Sequence, residues 1–276
     1  MSSLLPHLPF LPPALLLVAS LLLLRPFLKN PARIKALLAP RDLARPAVTL
    51  LDGVVVCVIG LFVLALNIAG NGDTSLDPSL LLLIGVIVAT VLFDSIFLAP
   101  AAVIILFRRG ASLAGTFGIR RETAWRDFTR GLRYGVMMLF PVFAVSIATH
   151  GVMTLLGFDP QAQNTLSLLG DEKLSLLGRL LFAATLFTFI PVYEEAAFRG
   201  VLLPAFARVA PWKVLIVCQA VFFGLIHFNA AAFPALFLVG LCLALGYART
   251  GSLLTPIAMH AVQNFFAALA SFAHVE

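Results

Sequence analysis

The C-terminal third of this chain holds seven residues whose types and spacing suit chemistry. Glu194 and Glu195 stand side by side in FTFIPVYEEAAFRGVLLP, and Arg199 follows the second by four positions. Phe223 and His227 are four apart, and so are His260 and Asn264. Each group lies in an apolar stretch: VYEEAAFRG, VFFGLIHF and IAMHAVQNFF. An ionisable side chain at the centre of a bilayer costs about 2.5–3.5 kcal/mol on insertion scales, so such residues mark functional sites by default. Residues four apart share one face of a helix. Arg199 can therefore neutralise Glu195, while Glu194 points about 100° away around the helix and is left for other groups.

A carboxylate, two imidazoles and a carboxamide suffice for hydrolysis. The carboxylate can take a proton from water and return it to a leaving amine. Imidazole and carboxamide N–H groups can hold an oxyanion. The signatures of serine hydrolases and zincins, GxSxG and HExxH, are absent from the sequence. Taken singly, each group has a plainer reading. Glu195 with Arg199 is an ion pair, and His227, or His260 with Asn264, is a polar contact between membrane helices. The combination on three neighbouring helices is what the plainer readings leave unexplained. Asp94, in another apolar run, reads as a buried hydrogen-bonding acid or a lining group of the same cavity. His7, His150 and His274 lie at span ends or tails and read as incidental.

The elements that must position these groups are membrane helices. Of the 276 residues, 61% are hydrophobic and 12% charged, with mean hydropathy +1.03. Soluble domains carry about 25% charged residues. We expect an all-α, polytopic transmembrane bundle forming one domain over residues 1–276. Eight spans can be drawn: Leu11–Leu28, Val48–Ala69, Ser79–Phe107, Tyr134–Leu156, Leu174–Arg208, Lys213–Phe228, Ala231–Tyr247 and Ser252–Phe272. The first reads as a retained helix rather than a signal peptide, because residues 1–10 carry no Lys or Arg and the run ends in Arg25. The fifth, 35 residues long, would measure about 52 Å against a bilayer core of about 30 Å. It must tilt, protrude or break, and Pro191 is the expected kink. No internal repeat supports a transporter built from inverted halves.

Two loops hold thirteen of the 19 Lys and Arg residues. One has Arg25, Lys29, Arg33, Lys35, Arg41 and Arg45; the other has Arg108, Arg109, Arg120, Arg121, Arg126, Arg130 and Arg133. This is the positive-inside pattern, so both loops are expected in the cytoplasm of a cell-membrane protein, and the formal charge of +6 does not imply nucleic acid. Within segment 108–133, Trp125, Phe128 and Leu132 have helical spacing between arginines. That predicts a short helix lying in the interface, as a basic anchor or a substrate-recruiting surface. Cys57, Cys218 and Cys242 lie in apolar runs without CxxC spacing and read as small buried hydrophobes.

Depth arithmetic brings the groups together. Glu194 and His227 are equidistant from the turn Val209-Ala210-Pro211, and an antiparallel hairpin turning there sets them at similar depth on adjacent helices. Each is 14 residues from the nearest basic residue at that turn, Arg208 or Lys213, or about 21 Å of helix. Arg249 marks the expected turn between the last two spans.

At these residues the chain resembles the CAAX prenyl protease and bacteriocin-processing (CPBP, or Abi) intramembrane proteases. The family's EExxxR, FxxxH and HxxxN read here as Glu194-Glu195-Ala-Ala-Phe-Arg199, Phe223-Gly-Leu-Ile-His227 and His260-Ala-Val-Gln-Asn264. The resemblance covers roughly 174–270, a catalytic core buried among the four C-terminal helices. It implies a glutamic-type endopeptidase acting in the bilayer on a membrane-anchored protein or peptide. Glu194 would be the base that activates water, His227 would hold that water, and His260 and Asn264 would bind the oxyanion. Glu195 and Arg199 would be the supporting pair, and Phe223 would pack the pocket. The resemblance also admits a metalloprotease, with zinc on Glu194, His227 and His260. The carboxamide and Arg199 favour a metal-free site needing no cofactor. Competing readings are a non-catalytic membrane binding or immunity module and a proton-coupled transporter with Glu194 as relay. The sequence does not fix the oligomeric state or the substrate.

Overall fold

A computed structural model describes residues 11–30, 32, 36, 43–69, 96, 98–108, 110–159, 169 and 175–273. Asp94, His7, His274 and most of the third expected span lie outside these residues. Among the described residues every regular element is helical. These are α1 Leu11–Leu28, α2 Leu50–Ala69, α3 Leu98–Phe107, α4 Leu113–Phe117, α5 Ala124–Leu155, α6 Leu176–Glu195, a π-helical segment Ala196–Leu202, α7 Leu203–Phe206, α8 Trp212–Leu225, α9 Phe233–Thr250 and α10 Leu254–Ala273.

Three helical stretches are long and apolar enough to cross a membrane: Ala124–Leu155, Leu176–Phe206 and Phe233–Thr250. With these spans the chain is an integral membrane protein. The expected count of eight is not reached among the described residues. α3, α8 and the described stretches Pro13–Pro26 of α1 and Leu50–Val63 of α2 are shorter apolar helices by the same measure. α10 has the length, at 20 residues, but His260, Gln263 and Asn264 dilute its apolar character.

α10 is held mainly by α5, with α6 and α9 on its flanks. Close approach to α5 depends on GLRYG in α5. A Cβ on Gly131 would meet Ala258 at 2.6 Å, and one on Gly135 would meet Val262 at 2.8 Å. Two glycines four apart let helix backbones approach in this way. The Thr255 hydroxyl completes the seam by donating to the Asp127 carbonyl at 3.0 Å.

The interfacial segment differs from expectation. Trp125, Phe128 and Leu132 belong to the first turns of α5, which runs unbroken for 32 residues. At about 48 Å the helix exceeds the bilayer core, so its basic N-terminal turns extend beyond it. The separate surface piece is α4, capped by Ser112 and closed by Gly118 at φ 67°. Part of the loop charge is structural. Arg108 grips Asp52 through both carboxylate oxygens, at 2.5 and 2.6 Å. Arg45 donates to the Gly251 carbonyl at 2.8 Å, which fixes the α9–α10 turn. That turn falls at Gly251, in the left-handed region at φ 68° and just beyond the expected Arg249.

Candidate active site

The fifth expected span does change character, but not at Pro191. α6 continues through Pro191 to Glu195, and residues Ala196–Leu202 then take π geometry, with the Leu203 N–H donating to the Phe198 carbonyl. π segments are rare and often sit at functional sites. Proline removes one backbone donor. The altered register begins five residues later, after the two glutamates. Every residue from Glu195 to Ala205 is buried, as befits a helix with α2, α6, α7 and α8 packed against it.

Inside that segment Arg199 and Glu195 are both fully buried, with the guanidinium Nη1 2.8 Å from Glu195 Oε1. The other guanidinium nitrogen donates to the Gly240 carbonyl of α9 at 2.9 Å. The guanidinium also lies 4.9 Å from the centroid of Phe223. Removing an ion pair from water is tolerable only when both partners are fixed by such contacts.

Glu195 has a second role that the sequence spacing does not reveal. Its Oε1 also accepts from His260 Nδ1 at 2.9 Å. The opposite nitrogen, His260 Nε2, is 3.8 Å from Glu194 Oε2. One imidazole on α10 therefore stands between the two adjacent glutamates of α6. The hairpin arithmetic pairs Glu194 with His227; on α10 its neighbour is His260. Phe223 connects the two histidines, its ring centroid 4.9 Å from that of His227 and 5.7 Å from that of His260.

His227 is not on a helix, as FxxxH spacing suggested. α8 ends at Leu225, and His227 occupies the following turn. Its Nδ1 lies 2.7 Å from the Phe223 carbonyl, one of the last acceptors of α8. A carbonyl can only accept, so Nδ1 carries the hydrogen, and in the neutral imidazole Nε2 keeps its lone pair. The next residue, Phe228, has φ 47°. That is an uncommon conformation for a bulky residue, and such strain clusters at functional sites.

Asn264 donates from Nδ2 to the Leu186 carbonyl at 2.8 Å, joining α10 to α6. Its carboxamide has a second N–H to offer. Gln219 is a residue that sequence reasoning missed. It is 4% exposed, and its amide oxygen and nitrogen find no hydrogen-bond partner among the described residues. It lies four residues before Phe223, so QxxxFxxxH on one face was a legible signal. Gly200, beside Arg199, permits another close contact. A Cβ there would meet the Phe117 ring at 3.0 Å, so α4 is seated directly on the π segment.

The geometry fixes some proton positions. His260 Nδ1–H is committed to Glu195, whose charge is balanced by Arg199. An unprotonated Nε2 facing an ionised Glu194 would set a lone pair against a negative oxygen. One proton held between Glu194 and His260 would leave the whole group neutral, which suits a site removed from water. Among the described residues no three His, Cys, Asp or Glu side chains are grouped to hold a metal ion. His260 is already oriented by one glutamate and faces the other.

Comparison with known families selects the same stretch of chain, since residues 176–266 match the model of the type II CAAX prenyl endopeptidase Rce1-like family. This segment is CAAX-protease-like. It contains all three motifs and the contacts among Glu194, Glu195, Arg199, Phe223, His227, His260 and Asn264. No curated protein and no solved structure matches the chain.

Proposed function

We propose that this protein is an intramembrane endopeptidase that hydrolyses a peptide bond in a membrane-attached protein or peptide. The observation that carries this reading is His260 bridging Glu195 and Glu194, at 2.9 and 3.8 Å. In the working state the proton shared by Glu194 and His260 sits on His260. Glu194 is then an ionised base, and His260 Nε2–H is a donor.

Water enters between Glu194 and His227 and is oriented by the lone pair on His227 Nε2. Glu194 removes a proton as the water oxygen attacks the scissile carbonyl carbon. The negative charge that develops on the carbonyl oxygen is held by His260 Nε2–H and by the second N–H of Asn264. The C–N bond then breaks, and Glu194 returns the proton to the leaving amine. Glu195 and Arg199 act through His260, keeping its tautomer and orientation. Phe223 fills the space between the imidazoles and keeps bulk water out. The site works without a metal ion and faces the cytoplasmic side of the cell membrane, where the basic loops lie.

The family match supports, as substrate, a peptide tethered to the bilayer near its C-terminus, with prenylated CAAX peptides as the first candidates. The purified protein should cleave at least one member of a library that includes such peptides. Cleavage should persist after treatment with a strong chelator. Loss of activity with chelator and recovery with zinc would replace the metal-free mechanism. No cleavage of any tethered peptide would favour a non-catalytic binding module.

A further inference from the structure

α5 carries two stripes. Gly131, Gly135, Met138 and Val142 are buried on one, and the two glycines meet α10. The other includes Arg130, Tyr134, Met137, Phe140, Ala144 and Ile147, at spacings of three or four, and borders α1. α1 and α5 are pinned by one polar contact. Pro141 has no N–H, so it leaves the Met137 carbonyl without its usual helical donor. The Ser20 hydroxyl of α1, fully buried, donates to that carbonyl at 2.9 Å and accepts from the Phe140 N–H at 3.0 Å.

On either side of this pin the two helices leave a cavity. One, of about 240 Å³, lies between the end of α1 at Leu22, Leu23 and Pro26 and the start of α5 at Arg130, Arg133 and Tyr134. The other, of about 410 Å³, is walled only by apolar side chains, among them Leu17, Leu21, Phe143 and Ile147. The helices run antiparallel here, so the cavities follow one another along a single groove. From Arg133 to Ile147 the groove spans about 21 Å. That covers a headgroup and one leaflet of about 15 Å, half the core thickness.

We propose that this groove binds one anionic glycerophospholipid of the surrounding bilayer. Its phosphate sits against Arg130, Arg133 and Tyr134, and one acyl chain follows the apolar cavity past Ser20. The charge balance selects an anion. Asp127 is the acid nearest the polar end, and it already has Arg126 at 3.7 Å and Arg130 at 3.6 Å. Arg133 makes no ion pair among the described residues and is exposed. The apolar end has no polar side chain to bind anything but a hydrocarbon chain. The groove lies on the α1 side of α5, where Phe143 also packs against Phe266 of α10, and none of its lining residues belongs to the Glu194–His260 site.

The test is thermal unfolding of the purified full chain in detergent micelles doped with phosphatidylglycerol, phosphatidylcholine or inorganic phosphate. Phosphatidylglycerol should raise the unfolding midpoint by about 5 °C at roughly 100-fold excess over its Kd. Phosphatidylcholine and free phosphate should not. Arg130→Gln/Arg133→Gln should remove the shift while unfolding normally in phosphatidylcholine. Ala144→Trp, which fills the apolar end, should also remove it with both arginines in place. An equal shift in wild type and the arginine variant would overturn the proposal as a general detergent effect. An equal response to free phosphate, or an unchanged shift in Ala144→Trp, would overturn it by showing that no chain is bound. The readout is independent of peptidase activity.

Discussion

Arg199→Ala should be the most destabilising single substitution in the site. Arg199 and Glu195 are both fully buried and joined at 2.8 Å. Removing the cation leaves a carboxylate in the interior with only His260 Nδ1 to answer it. Breaking a buried ion pair from one side typically costs about 3–5 kcal/mol. The Gly240 carbonyl also loses a donor. Arg199→Lys should recover only part of the loss, since one ammonium cannot reproduce the planar fork that reaches Glu195 and Gly240 together. Replacing both charges in Glu195→Gln/Arg199→Met should restore much of the stability. The check is the half-life of folded protein in detergent at fixed temperature, because membrane proteins often unfold irreversibly. A single variant as durable as wild type would show that the pair contributes nothing to the fold.

His260→Ala should have a different signature. It removes the N–H proposed to face the oxyanion and leaves the Glu195–Arg199 pair in place. Loss of one such donor typically lowers kcat by about 10²–10³-fold. Peptide binding should change little, so KM should stay near its wild-type value. A rise in KM with kcat unchanged would assign His260 to substrate binding. The same kinetics applied to Glu195→Gln would separate positioning from direct chemistry, because Gln can still accept from Nδ1 but does not carry the charge that favours an imidazolium.

How far these features could be read from sequence depended on whether they were local. Glu195 with Arg199 is a contact within one segment, and four-residue spacing was enough to find it. The link from Glu195 to His260 spans 65 positions and passes between α6 and α10. No periodicity encodes it. His227 was assigned to a helix because FxxxH fits one face, yet α8 ends at Leu225 and the imidazole closes the helix end by bonding to the Phe223 carbonyl. The π segment was missed for a similar reason. Proline is the visible helix breaker, whereas the change at Ala196 follows from packing on all sides. α1 ends at Leu28, as expected, because the apolar run there gives way to Lys29 and Asn30. Trp125 and its neighbours looked like a surface helix because amphipathic spacing does not say whether a helix ends or runs on into a span.

If Glu194 is the base, wild type and Glu194→Gln should differ sharply in a single assay. Both proteins would be purified in the same detergent and assayed on one tethered peptide that wild type cleaves, with unfolding followed in parallel. Gln keeps the shape of Glu194 and removes its ability to take a proton. The account predicts a loss of about 10²–10⁴-fold in kcat with peptide binding and unfolding unchanged. Equal rates for the two proteins would contradict it.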